Sequence, residues 1–135
     1  MGTIRASETA MPDRFSVLVI DDDVLVLQAI DMALRATGWR VGMTTDPTRA
    51  IVRAFEINPD VIVCDASMPG FDGAERIKTL KSHPSTAAIP IVLMTGKGSE
   101  SEYSALPFSA FLKKPFSPIE LREIIERVAA KREGG

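Results

Sequence analysis

Residues Pro59–Gly73 read PDVIVCDASMPGFDG. The unbroken apolar run Val61-Ile62-Val63-Cys64, with no polar alternation, describes a strand buried on both faces. It stops on an acid, Asp65. The turn-forming loop Met68-Pro69-Gly70-Phe71-Asp72-Gly73 follows, and then a stretch with Ala74, Ile77 and Leu80 at helical spacing. A strand, an acid at its carboxyl end and a crossover helix make one βα unit of a parallel sheet.

The same pattern recurs on both sides. Upstream, Val17-Leu18-Val19-Ile20 ends at Asp21, and Val24, Leu27, Ile30, Ala33 and Leu34 share one helical face with Gly38 at the expected C-cap. A second strand, Trp39–Met43, precedes Asp46-Pro47, an N-cap with proline at the first helical position, which opens a helix with Ala50, Ile51, Ala54 and Phe55 inward. Downstream, Ile89–Met94 ends at Thr95, and Ser109–Lys113 ends at Lys114-Pro115. Ser117-Pro118-Ile119-Glu120 is a capping box before the last helix, with Leu121, Ile124, Ile125 and Val128 inward. Five βα units predict an α/β fold with a doubly wound, five-stranded parallel sheet. Between Ser99 and Leu106 there is room for only about two helical turns, so the fourth helix is expected to be short.

Composition bounds the rest. With 135 residues, 16 Lys plus Arg against 18 Asp plus Glu (net −2), 45% hydrophobic and 25% charged, the chain has the balance of one globular domain without a basic nucleic-acid footprint. No direct nucleic-acid contact is expected. The single cysteine, Cys64, and single histidine, His83, exclude an internal disulfide and leave too few soft ligands for structural zinc. The apolar runs fall far short of the roughly 20 residues that span a bilayer, so membrane insertion is not expected and the cytoplasm is the expected compartment. Residues 1–14 show no sustained period and read as a flexible N-terminal arm. The folded domain is expected over residues 15–133, with no output domain behind it.

In an open parallel sheet, ligands bind outside the carboxyl ends of the strands. Four of the five strands end there on a distinctive residue: Asp21 with Asp22, Asp65, Thr95 and Lys114. If the first and third strands are neighbours, three carboxylates converge, an arrangement that repulsion disfavours unless a cation sits among them. All-oxygen ligands point to Mg²⁺, which recruits phosphate oxygens. A lysine ammonium and a threonine hydroxyl can then contact a phosphoryl group. Asp65 is the better nucleophile candidate, because the Met68-Pro69-Gly70 turn beyond it is expected to leave it exposed above the sheet.

Taken in order, Val19-Ile20-Asp21-Asp22-Asp23, Pro59-Asp60-Val61-Ile62-Val63-Cys64-Asp65 with Met68-Pro69-Gly70 and Gly73, Pro90-Ile91-Val92-Leu93-Met94-Thr95, and Phe111-Leu112-Lys113-Lys114-Pro115-Phe116 resemble the receiver domain of two-component response regulators. The resemblance covers about Ser16 to Arg132. It implies a flavodoxin-like strand order, 2-1-3-4-5. It also implies that Asp65 is the phosphoacceptor, taking its phosphoryl group from a sensor histidine kinase, a histidine phosphotransfer protein or a small phosphodonor. Asp21 and Asp22, with Asp65 and the backbone carbonyl of Ser67, would hold Mg²⁺. Thr95 and Lys114 would contact the phosphoryl group, Lys114-Pro115 would be cis, and Thr95 with Phe111 would form the conformational switch. The implied protein is a phosphoacceptor switch, limited to self-catalysed phosphotransfer and autodephosphorylation.

Two other readings stand beside it. Asp21-Asp22-Asp23 offers the Asp-x-Asp of a haloacid-dehalogenase-type phosphatase, which would be phosphorylated at Asp21. A pseudo-receiver would act as a constitutive protein-binding scaffold. Among the remaining residues, Asp23 reads as the N-cap before Val24, Cys64 as a buried hydrophobe facing away from the site, His83 as a solvated turn residue and Lys113 as solvent-facing.

Overall fold

The computed structural model describes residues 15–66, 73–98 and 100–134. Five strands, β1 (Ser16–Ile20), β2 (Arg40–Thr44), β3 (Val61–Asp65), β4 (Ile91–Thr95) and β5 (Ala110–Lys113), alternate with helices α1 (Val24–Arg35), α2 (Ala50–Ile57), α3 (Gly73–Ser82) and α4 (Pro118–Gly134). All pairings are parallel, in the order β2-β1-β3-β4-β5. This is the doubly wound, flavodoxin-like order. The expected arm at residues 1–14 lies outside the described residues.

β1, β3 and β4 are buried at every position, which is why they carry no polar alternation. Alternate side chains feed two cores. Val17, Val19, Val61, Val63, Val92 and Met94 meet Leu27, Ile30 and Leu34 of α1 and Leu121, Ile125 and Val128 of α4. On the other face Leu18, Ile20, Ile62, Cys64, Ile91 and Leu93 meet Ala50 and Ala54 of α2 and Ile77 and Leu80 of α3. Each fully buried aliphatic side chain contributes roughly 1.5–3 kcal/mol, so the sheet is stabilised from both sides. Truncating Leu34 or Ile125 to alanine would cost about 2–5 kcal/mol.

The helix ends explain where the expected faces shift. Asp23 caps α1, its carboxylate accepting from the amides of Leu25 at 2.9 Å and Val26 at 3.4 Å. Val24 is therefore the first helical residue and turns outward, 54% exposed, rather than joining the stripe of Leu27, Ile30 and Leu34. The helix ends at an Ala36 C-cap, and Gly38, expected at the cap itself, supplies a left-handed residue (φ +90°) two positions later. Asp46 accepts from the Thr48 amide at 2.9 Å, but the first turn it opens is a 3-10 turn, Pro47–Arg49. The α-helix begins only at Ala50, and Phe55 is 46% exposed rather than inward, its ring edge-on to His83 at 4.7 Å. Between β4 and β5, the expected short helix is a single 3-10 turn, Glu100–Tyr103. Gly96, Gly98 and Pro107 crowd this segment and leave too few good helix formers for α-helix. The capping box of α4 forms as expected, Ser117 and Glu120 each bonding the other's amide, at 3.0 and 3.1 Å.

Candidate functional site

The strand order sets the site. Ile20 pairs with Cys64 in register, so the next residues, Asp21 and Asp65, stand side by side at the carboxyl ends of β1 and β3. Asp65 pairs with Met94, which puts Thr95 one residue beyond it, and Thr95 pairs with Lys113, which brings in Lys114. The Lys114 amide donates to the Thr95 carbonyl at 2.9 Å, fastening the two ends together. The Lys114–Pro115 peptide is cis.

Asp21 is fully buried, Asp22 exposed. Asp65, expected to stand exposed, is only 4% exposed. Lys114 reaches both acids, with Nζ 2.6 Å from Asp21 Oδ2 and 2.8 Å from Asp65 Oδ2. The other Asp21 oxygen accepts the Asp23 amide at 2.9 Å. This contact was readable in the Asp21-Asp22-Asp23 run, since aspartate commonly bonds the amide two residues on.

Burial raises the Asp21 carboxyl above its ordinary range; the hydrogen bond from Lys114 opposes the rise and the charge of Asp65 adds to it. Burial alone would favour a neutral Lys114, but its hydrogen bonds to Asp21 and Asp65, with their charges, outweigh it and hold the ammonium above its usual pKa. One oxygen each from Asp21, Asp22 and Asp65 lie within 4.8 Å of one another. Three carboxylates against one ammonium leave a negative, oxygen-only cluster able to take a hard divalent cation. Ser67, whose carbonyl the resemblance adds to this set, lies outside the described residues.

Thr95 is fully buried, and its hydroxyl bonds Lys97, a residue the sequence did not single out: Oγ1 donates to the Lys97 carbonyl at 2.6 Å and accepts its amide at 3.0 Å. Phe111 is half-buried on the α2–α3 side, with the rings of Tyr103 and Phe108 at 6.2 and 6.1 Å. Cys64 is buried on that side too, as alternation requires, and burial with the charges of Asp65 and Asp21 pushes its thiol up to about 12. Lys113 is exposed, as expected. Beside Lys114, an apolar cavity of about 460 Å³ opens between α1 and the start of α4, lined by Val26, Ala29, Ile30, Pro115 and Phe116. No helix among the described residues is long and apolar enough to cross a membrane.

Comparison with known proteins gives one consistent family. The model of the response regulator receiver domain matches residues 17–126. The phosphate regulon transcriptional regulatory protein PhoB of Pseudomonas aeruginosa is 31% identical over 118 residues, covering 85% of this chain and 50% of PhoB. The DNA-binding response regulator MtrA of Mycolicibacterium paratuberculosis is 29% identical over 121 residues, covering 87% of this chain and 51% of MtrA. The chain thus spans about half the length of the curated relatives it matches. Among solved structures, the chemotaxis response regulator CheY4 of Vibrio cholerae superposes with a TM-score of 0.78 at 29% identity, covering 85% of this chain and 98% of CheY4. The receiver domain of the Pseudomonas aeruginosa sensor histidine kinase PA1611, solved with a magnesium ion in its active site cleft, shares the fold at a TM-score of 0.79 and 23% identity, covering 87% of this chain and 98% of that one.

Proposed function

The chain belongs to the response regulator receiver family, and from that premise we propose that Asp65 accepts a phosphoryl group and that the resulting charge switches the conformation of Thr95 and Phe111 to control a protein partner. The observation that carries this reading is the Lys114 ammonium bridging Asp21 and Asp65 across two strand ends. Such a cation neutralises a carboxylate nucleophile at rest and is already in place to pair with the new phosphoryl oxygens.

In the step itself, an Asp65 carboxylate oxygen forms a bond to phosphorus while the bond from phosphorus to the donor's imidazole nitrogen, or to the acyl oxygen of a small phosphodonor, breaks. The product is an acyl phosphate on Asp65, and the donor leaves with the electron pair. Asp21, Asp22 and Asp65, with the Ser67 carbonyl, are the residues that would hold Mg²⁺, and the paired acids with converging oxygens fit that ion. When bound, Mg²⁺ offsets the charge gathered around the transferring phosphoryl group. Lys114 holds the phosphoryl oxygens on one side. The Thr95 hydroxyl donates on another once it leaves Lys97, and Phe111 follows the space Thr95 vacates. Water later hydrolyses the acyl phosphate, so the domain turns over its own phosphoryl group only.

The donor is a histidine kinase or a histidine phosphotransfer protein, and the apolar cavity beside Lys114 is the surface for it, because it flanks the acceptor. The receiver unit is residues 15–133, with cytoplasmic placement and protein rather than nucleic-acid contacts. The complete set of acids, hydroxyl and ammonium leaves the constitutive-scaffold alternative without a supporting observation. The test is intact mass after incubation with Mg²⁺ and acetyl phosphate. One added phosphoryl group on the native chain, absent from Asp65→Asn, is expected. An adduct that survives Asp65→Asn, or none on either protein together with no binding of beryllofluoride, would overturn the proposal.

A further inference from the structure

The Thr95 hydroxyl has one proton, and it is directed at the Lys97 carbonyl, 2.6 Å away. Donating to a phosphoryl oxygen on Asp65 means giving up that carbonyl, and the Lys97 amide then loses its acceptor. Rotation of Thr95 is therefore coupled to movement of residues 96–98. By strand alternation Thr95 shares the face of Leu93, toward the α2–α3 layer, and Asp65 that of Val63, toward α1 and α4.

The far end of that loop is tied down as well. Lys113, the register partner of Thr95, donates from Nζ to the Gly98 carbonyl at 2.7 Å. Gly98 stands at φ +80°, and Glu102 of the 3-10 turn closes over it, so that a Cβ there would lie 2.4 Å from a carboxylate oxygen. Within residues 96–98, side-chain bonds from Thr95 to Lys97 and from Lys113 to Gly98 tie the loop to the ends of β4 and β5. Its restraint is thus open to change at a single exposed residue.

We propose that Lys113 is a positioning residue for the phosphoryl switch: by fastening Gly98 to the end of β5, it keeps the 96–98 loop and the Thr95 hydroxyl in the resting arrangement. The inference rests on the reading of Asp65 as phosphoacceptor and adds to it a residue that touches neither Asp65 nor its phosphoryl group. Lys113 acts on the balance between the two arrangements, not on phosphorus. An exposed charge-assisted hydrogen bond shifts such an equilibrium by about twofold to fivefold.

The test uses the full chain as wild type, Lys113→Met, Lys113→Arg, Thr95→Ala and the Lys113→Met/Thr95→Ala double variant. Amide hydrogen exchange at Lys97 is followed in the free protein, and beryllofluoride affinity in the presence of Mg²⁺ is titrated. Lys113→Met is expected to exchange the Lys97 amide about twofold to fivefold faster and to bind beryllofluoride tighter by a similar factor. Lys113→Arg, which keeps a donor, should stay near wild type. In the Thr95→Ala background, Lys113→Met should leave beryllofluoride affinity unchanged. Unaltered Lys97 exchange and affinity in Lys113→Met, or an equal gain without Thr95, would overturn the role of Lys113 while leaving the phosphoacceptor reading intact. A wild-type protein that fails to bind beryllofluoride would overturn both.

Discussion

The ammonium of Lys114 stands 2.8 Å from Oδ2 of Asp65, joining residues 49 positions apart, and the same nitrogen is 2.6 Å from Asp21. One cation thus answers two buried carboxylates. Lys114→Met leaves those acids facing each other, and without divalent cation we expect it to cost roughly 2–3 kcal/mol, below a fully buried pair because the lysine is partly exposed. Added Mg²⁺ should restore more stability to this variant than to wild type, because the ammonium no longer competes for Asp21. Urea unfolding with and without Mg²⁺ measures both, and an equal loss in the two conditions would contradict the assignment.

Asp21 contributes a pH dependence of definite sign. Its folded pKa is raised from 3.8, first by burial, so between that value and the raised one the folded state binds more protons than the unfolded state. Stability therefore falls as pH rises through this window, and a neutral isostere avoids the fall. Without divalent cation, Asp21→Asn should be more stable than wild type at pH 7, and the gap should close on acidification toward pH 4. Lys114, Asp65 and Asp22 face the same site, so the comparison is made on chains differing only at Asp21. Greater stability of wild type at pH 7 would reverse the sign.

If the cavity beside Lys114 receives a phosphohistidine protein, as proposed, a variant on its wall separates protein donors from small ones. Ala29 is exposed on its wall. Ala29→Arg should leave labelling by acetyl phosphate unchanged and slow transfer from a phosphohistidine protein at least about tenfold, the effect of losing roughly 1.4 kcal/mol of docking energy. Parallel time courses with the two donors check this, and equal rates for variant and wild type with the protein donor would place the docking surface elsewhere.

Cys64 neighbours Asp65, the proposed acceptor, in sequence yet should be inert. Its thiol is fully buried and pushed up to about 12, so at pH 8 thiolate is scarce and access is closed. Thiol-reagent labelling should proceed only at the rate of global unfolding and should not respond to phosphorylation. Rapid labelling of the native chain would contradict the packing described.

Trp39 lies at the other end of the sheet. It precedes β2, with its ring 4.9 Å from that of Phe15. The length of β1, about 16 Å, separates that end from Asp21. Its emission should report unfolding but stay unchanged on addition of Mg²⁺ or beryllofluoride. A saturable change with either ligand would show that the switch reaches the amino ends of the strands.

Most of the architecture is legible in the sequence because β1, β3 and β4 are buried on both faces and so appear as bare apolar runs. Each of these runs gives way to an acid or a hydroxyl at its carboxyl end, which makes Asp21, Asp65 and Thr95 stand out, and Lys114 takes the equivalent place after β5. The departures concern direction and partner rather than identity. Val24 and Phe55 carry the right hydrophobicity for the core, but the caps at Asp23 and the 3-10 turn after Asp46 set the helical phase and rotate both outward. The pairing of Asp65 with Lys114 is not legible along the chain, because it joins the ends of strands far apart in sequence. The bonds from Thr95 to Lys97 and from Lys113 to Gly98 end on backbone atoms, which no residue type advertises.

The strand order also divides the chemistry along the chain. Asp21, Asp22 and Asp65 all precede the β3–β4 crossover, and Thr95 and Lys114 both follow it. A break at the exposed Ala87–Ala88 pair would produce one piece with the three site acids but not Lys114, and another with Lys114 but none of the site acids. With Asp65 as the proposed phosphoacceptor, neither piece is expected to accept a phosphoryl group alone, and acceptance is expected only when Ile62–Asp65 of one piece realigns beside Ile91–Met94 of the other. On that proposal, phosphorylation recovered from mixed pieces would count reassembled molecules.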